Sequence, residues 1–283
     1  MKKLSFFHTP FYFMKKMKKQ FLAAVLTAVM AISAFAGTTT VEAADLSASQ
    51  YMEKMAKVTA KAKSYEMKMS MDMDMLSQGQ TISTKMTSTT IAFAKPAKVK
   101  TVLTMTIPVN GKNQKTKAVS YTKQKGNKLV QYTSADGKKY EKTTLDLSEY
   151  SDMLSSLQTT DVYSDLKIVN SNVKANGKST VQIQAQISGE EIASLLSELG
   201  LDSTDSEETS CDYSSLSPIT FSIWLDKKTC YPVKQTIDMK DFMNGFLGSL
   251  GTDEQISYSK IKVSVTYKNF NKATKFSFPK SCK

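Results

Sequence analysis

The sequence predicts an α+β protein in which long antiparallel, β-rich sheets with one wet side curl around a few helices. Three observations predict it. Met67, Met69, Met71, Met73 and Met75 recur at every second position, the period of a strand, so all five thioethers share one face. Later segments repeat that alternation, as in Val181, Ile183, Ala185 and Ile187 set against Gln182, Gln184 and Gln186. Helical spacing is confined to short stretches, and glycine turns punctuate the rest.

Residues 1–43 read as an export signal. Lys15, Lys16, Lys18 and Lys19 precede the apolar run Phe21 to Ala36, which is short for a membrane span and leads to small-residue cleavage sites. Cleavage between Ala43 and Ala44 is preferred over cleavage before Gly37. Met14 or Met17 would make a more ordinary start, and an uncleaved anchor is the competing reading. Residues 44–283 are then expected to form a single β-rich domain, since no Pro/Gly linker divides them. No cysteine lies near either cleavage point, so a lipid-anchored form is not expected.

The first element, about Leu46 to Lys63, reads as a helix. Ser47 with Gln50 makes a capping box, and Met52, Met55, Val58 (or Thr59) and Ala62 form its apolar stripe. The methionine strand follows, then a turn at Gln78-Gly79-Gln80 and a Thr/Ser-rich strand ending at Phe93 before Lys95-Pro96. Val99, Leu103, Met105 and Ile107 share a face of the next strand. Lys125-Gly126-Asn127, Asp136-Gly137 and Asn176-Gly177 signal hairpins. Short helices are expected at about Ser148–Leu157 and from Ser188, capped by Glu191, to Leu199, with an acidic loop from Asp202 to Asp212 after them. Ile219, Phe221, Ile223 and Leu225 alternate, turn at Asp226-Lys227-Lys228, and pair with Tyr231, Val233, Gln235, Ile237 and Met239. Phe242–Leu250 is a helix or loop, Ile261 to Tyr267 another alternating strand, and Phe276 and Phe278 close the chain.

Without residues 1–43 the chain holds 32 basic and 25 acidic residues, every basic one a lysine. Lysine is a flexible point charge that lacks the planar fork used to read guanine edges, which argues against nucleic acid. A diffuse lysine surface suits an anionic cell-wall polymer or a membrane surface, or simply keeps the protein soluble. Two of Cys211, Cys230 and Cys282 are expected to form a disulfide. Cys211 and Cys230 flank one strand, so Cys282 paired with either is preferred.

Catalysis is not expected. The one histidine, His8, lies in the signal, which excludes Ser-His and Cys-His nucleophiles and histidine metal sites from the remainder. Ser-x-x-Lys recurs repeatedly in a Ser/Lys-rich chain, as at Ser120/Lys123, Ser164/Lys167, Ser171/Lys174, Ser257/Lys260 and Ser277/Lys280, without its companion motifs. Asp72 and Asp74 lie about 7 Å apart on the polar side of the methionine strand, where lysine-paired surface carboxylates are the simpler reading. No cofactor or metal is assigned. Thioethers favour Cu(I), but a single extended strand cannot converge five of them on one ion, so copper binding ranks third among the functions.

The order of elements resembles the LolA/LppX-like family of exported lipid carriers, in particular its members in Gram-positive bacteria. The resemblance rests on the leading helix, the Met/Thr-rich strand pair, the Lys95-Pro96-Ala97-Lys98 break and the Asp136-Gly137 turn. Further support comes from Trp224-Leu225-Asp226-Lys227-Lys228 with Tyr231-Pro232-Val233-Lys234, and from Phe270-Asn271-Lys272-Ala273-Thr274 with Phe278-Pro279. It implies that the sheet is an unclosed antiparallel half-barrel wrapped around the helices, with an apolar cavity for acyl chains. The expected function is thus a secreted, non-enzymatic protein that holds or carries an apolar ligand, a lipid above all. Met67, Met69, Met71, Met73, Met75, Met86, Leu103, Met105 and Ile107 are its expected cavity wall. The alternative is a cell-surface interaction or sensor module with a packed interior.

Overall fold

A computed structural model of the protein describes residues 46–77, 79–109, 112–146, 163–192, 213–249 and 256–282. Among the described residues eleven strands form one antiparallel sheet. They are β1 (Ser64–Ser77), β2 (Gln80–Phe93), β3 (Lys98–Val109), β4 (Lys112–Lys125), β5 (Lys128–Ser134), β6 (Glu141–Asp146), β7 (Ser164–Ala175), β8 (Lys178–Ile187), β9 (Ile219–Asp226), β10 (Pro232–Asp238) and β11 (Ile256–Lys268). Their spatial order is β6-β5-β4-β3-β2-β1-β11-β10-β9-β8-β7, so two meanders are joined where β1 pairs with β11. The sheet does not close, because β6 and β7 remain its two edges. Helices α1 (Ala48–Ala60) and α2 (Lys240–Ser249) pack on one side, here the inner face. Among the described residues no helix is long and apolar enough to cross a membrane.

Local chemistry sets these boundaries. Ser47 caps α1 through its hydroxyl, which accepts from the Gln50 N–H at 3.2 Å, while the Gln50 side chain accepts from the Ser47 N–H at 2.8 Å. Met52, Met55, Ala56 and Thr59 are the buried stripe, Thr59 rather than Val58 completing it. The Thr59 hydroxyl donates to the carbonyl of Met55 at 2.8 Å, so its polar atom is satisfied in the core. Ser47→Ala should therefore cost about 1 kcal/mol, measurable as a lower urea midpoint at unchanged slope. In the β7–β8 turn Asn176 and Gly177 both have positive φ, +47° and +77°, the backbone a two-residue hairpin of this twist demands.

Three expectations change, and one arrangement, in β4 and β5, is unanticipated. Asp136-Gly137 does not make a two-residue hairpin, because β5 ends at Ser134 and β6 begins at Glu141. Asp136 instead organises a longer loop, its carboxylate accepting from the N–H groups of Lys138 (2.8 Å) and Lys139 (3.2 Å) and from the Ser134 hydroxyl (2.9 Å). The Lys138 N–H is the foremost of the donors that lower its pKa. In β10 a bulge shifts the register between Pro232 and Lys234, so Tyr231 and Val233 do not continue the face of Gln235 and Ile237. In β4 and β5 several of the largest apolar residues point outward: Val119, Tyr121, Val130 and Tyr132 form a cluster with Val102, Tyr140, Phe276, Phe278 and Cys282. Phe276 and Phe278 thus belong to a C-terminal segment laid across the outer face. Finally, Cys230 and Cys282 are buried free thiols, which removes the Cys230–Cys282 pairing. Burial raises the pKa of both.

The export signal with Ala43 and Ala44, the helix at 148–157, the acidic loop and Cys211 lie outside the described residues. Ser188 and Glu191 do form their reciprocal cap, at 2.8 and 3.2 Å, at the start of a helix whose continuation to Leu199 also lies outside them.

Candidate ligand-binding face

Directly paired residues of an antiparallel sheet project to the same side, so the register fixes which side chains line the inner face. Met69 is opposite Val265 on one side and Ser88 on the other, and Ser88 is opposite Leu103. One row away Met71 faces Met86, and Met86 faces Met105, which puts three thioethers in a line across β1, β2 and β3. Met73 faces Thr84 and Ile261, and Met75 faces Ile82. All nine residues expected to form the cavity wall therefore project inward.

They divide into two sets by burial. Met67, Met69 and Met86 are buried, the first two packed in a core cluster with Tyr65, Ala92, Val265 and Tyr267. Met71, Met73, Met75, Leu103, Met105 and Ile107 are half-buried. The stripe is thus core at its first end and an apolar platform, partly open to solvent, at its second. Helix α1 covers a different region: its Met52, Met55 and Ala56 pack on Val181, Ile183, Ile223 and Leu225 of β8 and β9. Helix α2 packs Phe242 with Leu216 and Ile219, and its Asn244 side-chain amide pairs with the Tyr258 backbone where β11 bulges, at 2.7 and 2.9 Å.

A separate apolar hollow of about 230 Å³ opens at the other end of the face, below the C-terminus of α1. Ala62, Tyr65, Ala92, Val99 and Leu129 contribute its apolar lining, and none of the nine expected residues borders it. A sequence signal for it existed. Tyr65 extends the odd-numbered stripe one step before Met67, and Ala92 and Val99 flank the Lys95-Pro96 break.

Between platform and hollow runs a band of hydroxyls. Thr90 Oγ1 and Thr101 Oγ1 share a hydrogen bond of 3.1 Å, and the Ser120 hydroxyl accepts from the Gln131 side chain at 3.3 Å. Ser88, in the same band, is 1% exposed and its Oγ has no partner. Further along, the Tyr267 hydroxyl donates to Gln235 Oε1 at 3.1 Å, and burial raises its pKa.

The outer face has opposite chemistry. Asp72 lies 3.6 Å from Lys85 and 3.9 Å from Lys260, as expected for lysine-paired surface carboxylates. These three with Asp74, Lys115 and several threonines border an open hollow of about 530 Å³. Among the described residues no group of three His, Cys, Asp or Glu side chains could hold a metal ion.

Residues 47–283 match the model of DUF6612, a family of unknown function, and the chain belongs to that family. No curated protein matches it. Among solved structures it is similar to the Mycobacterium tuberculosis lipoprotein LppX, at 11% identity and a TM-score of 0.40, over 80% of this chain and 95% of that one. It is also similar to a DUF1329 family protein from Desulfovibrio piger, at 11% identity and a TM-score of 0.25, covering 81% of this chain and 93% of that one. A third similar structure is described as an outer membrane lipoprotein-sorting protein domain from Vibrio parahaemolyticus (11% identity, TM-score 0.26, 78% of this chain and 91% of that one).

Proposed function

For this member of the DUF6612 family we propose a non-enzymatic role: it holds or carries an apolar ligand, a lipid, against the inner face of its sheet. One observation carries the reading. Met71, Met73, Met75, Met105 and Ile107 stand half-buried on the same side of an unclosed sheet as an apolar hollow. A protein with no use for that surface would fill it or make it polar. Thioethers are flexible and polarisable, so the platform can fit chains of varied shape. Each methylene buried there contributes about 0.8 kcal/mol, so firm retention needs no catalytic group. The same reading takes residues 1–43 as an export signal, residues 44–283 as one domain and the working location as extracytoplasmic, with outer-face lysines meeting an anionic cell-wall polymer or a membrane surface.

Protein purified from its native host, denatured and analysed by mass spectrometry, is expected to release a lipid in near-stoichiometric amount. The double variant Met71→Lys/Met105→Lys places two charges on the platform and should be recovered empty. Because both positions are half-buried, its stability should fall by no more than about 1.5 kcal/mol. Wild-type protein that releases no lipid, or a double variant as fully loaded as wild type, would sink the reading.

A further inference from the structure

Ser88 is out of place on so apolar a wall. By register it lies between Met69 and Leu103, with Met86 and Thr90 next on its own strand and on the same side. The neighbouring hydroxyl of Thr90 is bonded to Thr101, whereas Ser88 Oγ is buried and unpartnered. A buried hydroxyl without a partner forfeits its hydration, a cost alanine would avoid while filling almost the same space. Ser88 also sits between the methionine platform and the apolar hollow, about four residues along the sheet from Ala92 and its hollow-lining neighbour Val99.

The charge pattern narrows what could meet that hydroxyl. Inward positions from Met67 to Met75, from Ile82 to Ala92 and from Val99 to Ile107 carry only Met, Thr, Ser and aliphatic side chains, none of them ionisable. A charged headgroup brought there would lie far from any compensating charge on those strands, at a prohibitive desolvation cost. A compact, neutral acceptor that travels with its apolar chains would not. Resting on the lipid-binding reading, we propose that Ser88 donates a hydrogen bond to a carbonyl oxygen of the ligand, and that the ligand is a neutral, ester-linked amphiphile. Its chains extend from that point over the methionine platform and toward the hollow. The flexible side chains of Met69 and Met86 move aside to admit the ester.

Two probes test this on the full chain, dioctanoylglycerol and its diether analogue dioctylglycerol, titrated as monomers by calorimetry. They share their apolar length and differ in the carbonyl oxygens. Wild-type protein is expected to bind the diester roughly 5- to 10-fold more tightly, as one net hydrogen bond allows. Ser88→Ala should bind the diether within about twofold of wild type and show no preference for the diester. Ser88→Thr, which restores a hydroxyl, should regain the preference. In the ligand-free protein Ser88→Ala should leave the melting temperature unchanged or raise it, because it removes an unsatisfied group. Equal affinity of wild type for the two probes, or a preference that survives in Ser88→Ala, would overturn the assignment while leaving lipid binding intact. Wild-type protein that binds neither probe would overturn both.

Discussion

Leu225→Ala is expected to destabilise the protein by about 3 kcal/mol, the middle of the range for deleting a buried leucine side chain. Leu225 is 0% exposed and lies where α1 meets the sheet, among Val181, Ile183, Ile223, Met52, Met55 and Ala56. It pairs with Val181 on β8 and Pro232 on β10, so three adjacent strands and a helix close over it. Met52 can bend into part of the space, which keeps the cost below the upper limit. Urea denaturation at pH 7 measures it, with Leu76→Ala as the control: Leu76 is 36% exposed and its loss should fall within about 0.5 kcal/mol. A Leu225→Ala cost below about 1 kcal/mol would mean that α1 is not held by this cluster.

Glu66→Gln is expected to cost about 2–3 kcal/mol at neutral pH and progressively less in acid. Glu66 is buried at the base of β1, where the chain's end returns to the sheet. Burial alone would raise its pKa, but the side chain and backbone of Thr274, with Asn269 and Lys268, donate to the carboxylate and hold it at about 2. The Thr274 contacts measure 2.7 and 2.8 Å, and the Lys268 ammonium lies 3.4 Å away. Since the folded pKa lies below the ordinary carboxylate value of about 4.3, the contribution is complete above that value and lost as pH falls toward 2. Denaturation midpoints of wild type and Glu66→Gln should thus converge between about pH 5 and pH 2. A gap that stays constant over that interval would show that the charge is not what secures the segment.

That segment is also where the sequence was hardest to read. The alternating strands, the Ser47 cap and the inward set of nine were legible because each follows from a local period or a three-residue spacing. The bulge at Val233 was not, because one extra residue changes facing without changing composition. The outward apolar residues of β4 and β5 were not legible either. Val119 and Tyr121 point outward because Phe276 and Phe278 come back from more than 150 residues away to cover them. Lys123 completes that cover, its ammonium donating to the Cys282 carbonyl at 3.0 Å and lying 5.2 Å from the Phe278 ring centre. No window around β4 contains this information. At the candidate site, composition pointed to the platform, whereas Ser88 becomes unusual only once pairing shows that its neighbour Thr90 is satisfied by Thr101.

The seam between β1 and β11 joins the first strand of the sheet to the last. Each meander can zip up from its own hairpins, yet a chain that emerges N-terminus first delivers β11 only after almost everything else. Until then the fourteen-residue methionine strand has one side bound to β2 and the other bare, a sticky border able to recruit a second copy. The emerging chain is therefore most exposed to misassembly until β11 docks, and dilution or a holding factor while it folds should raise its yield more than any improvement to the hairpins.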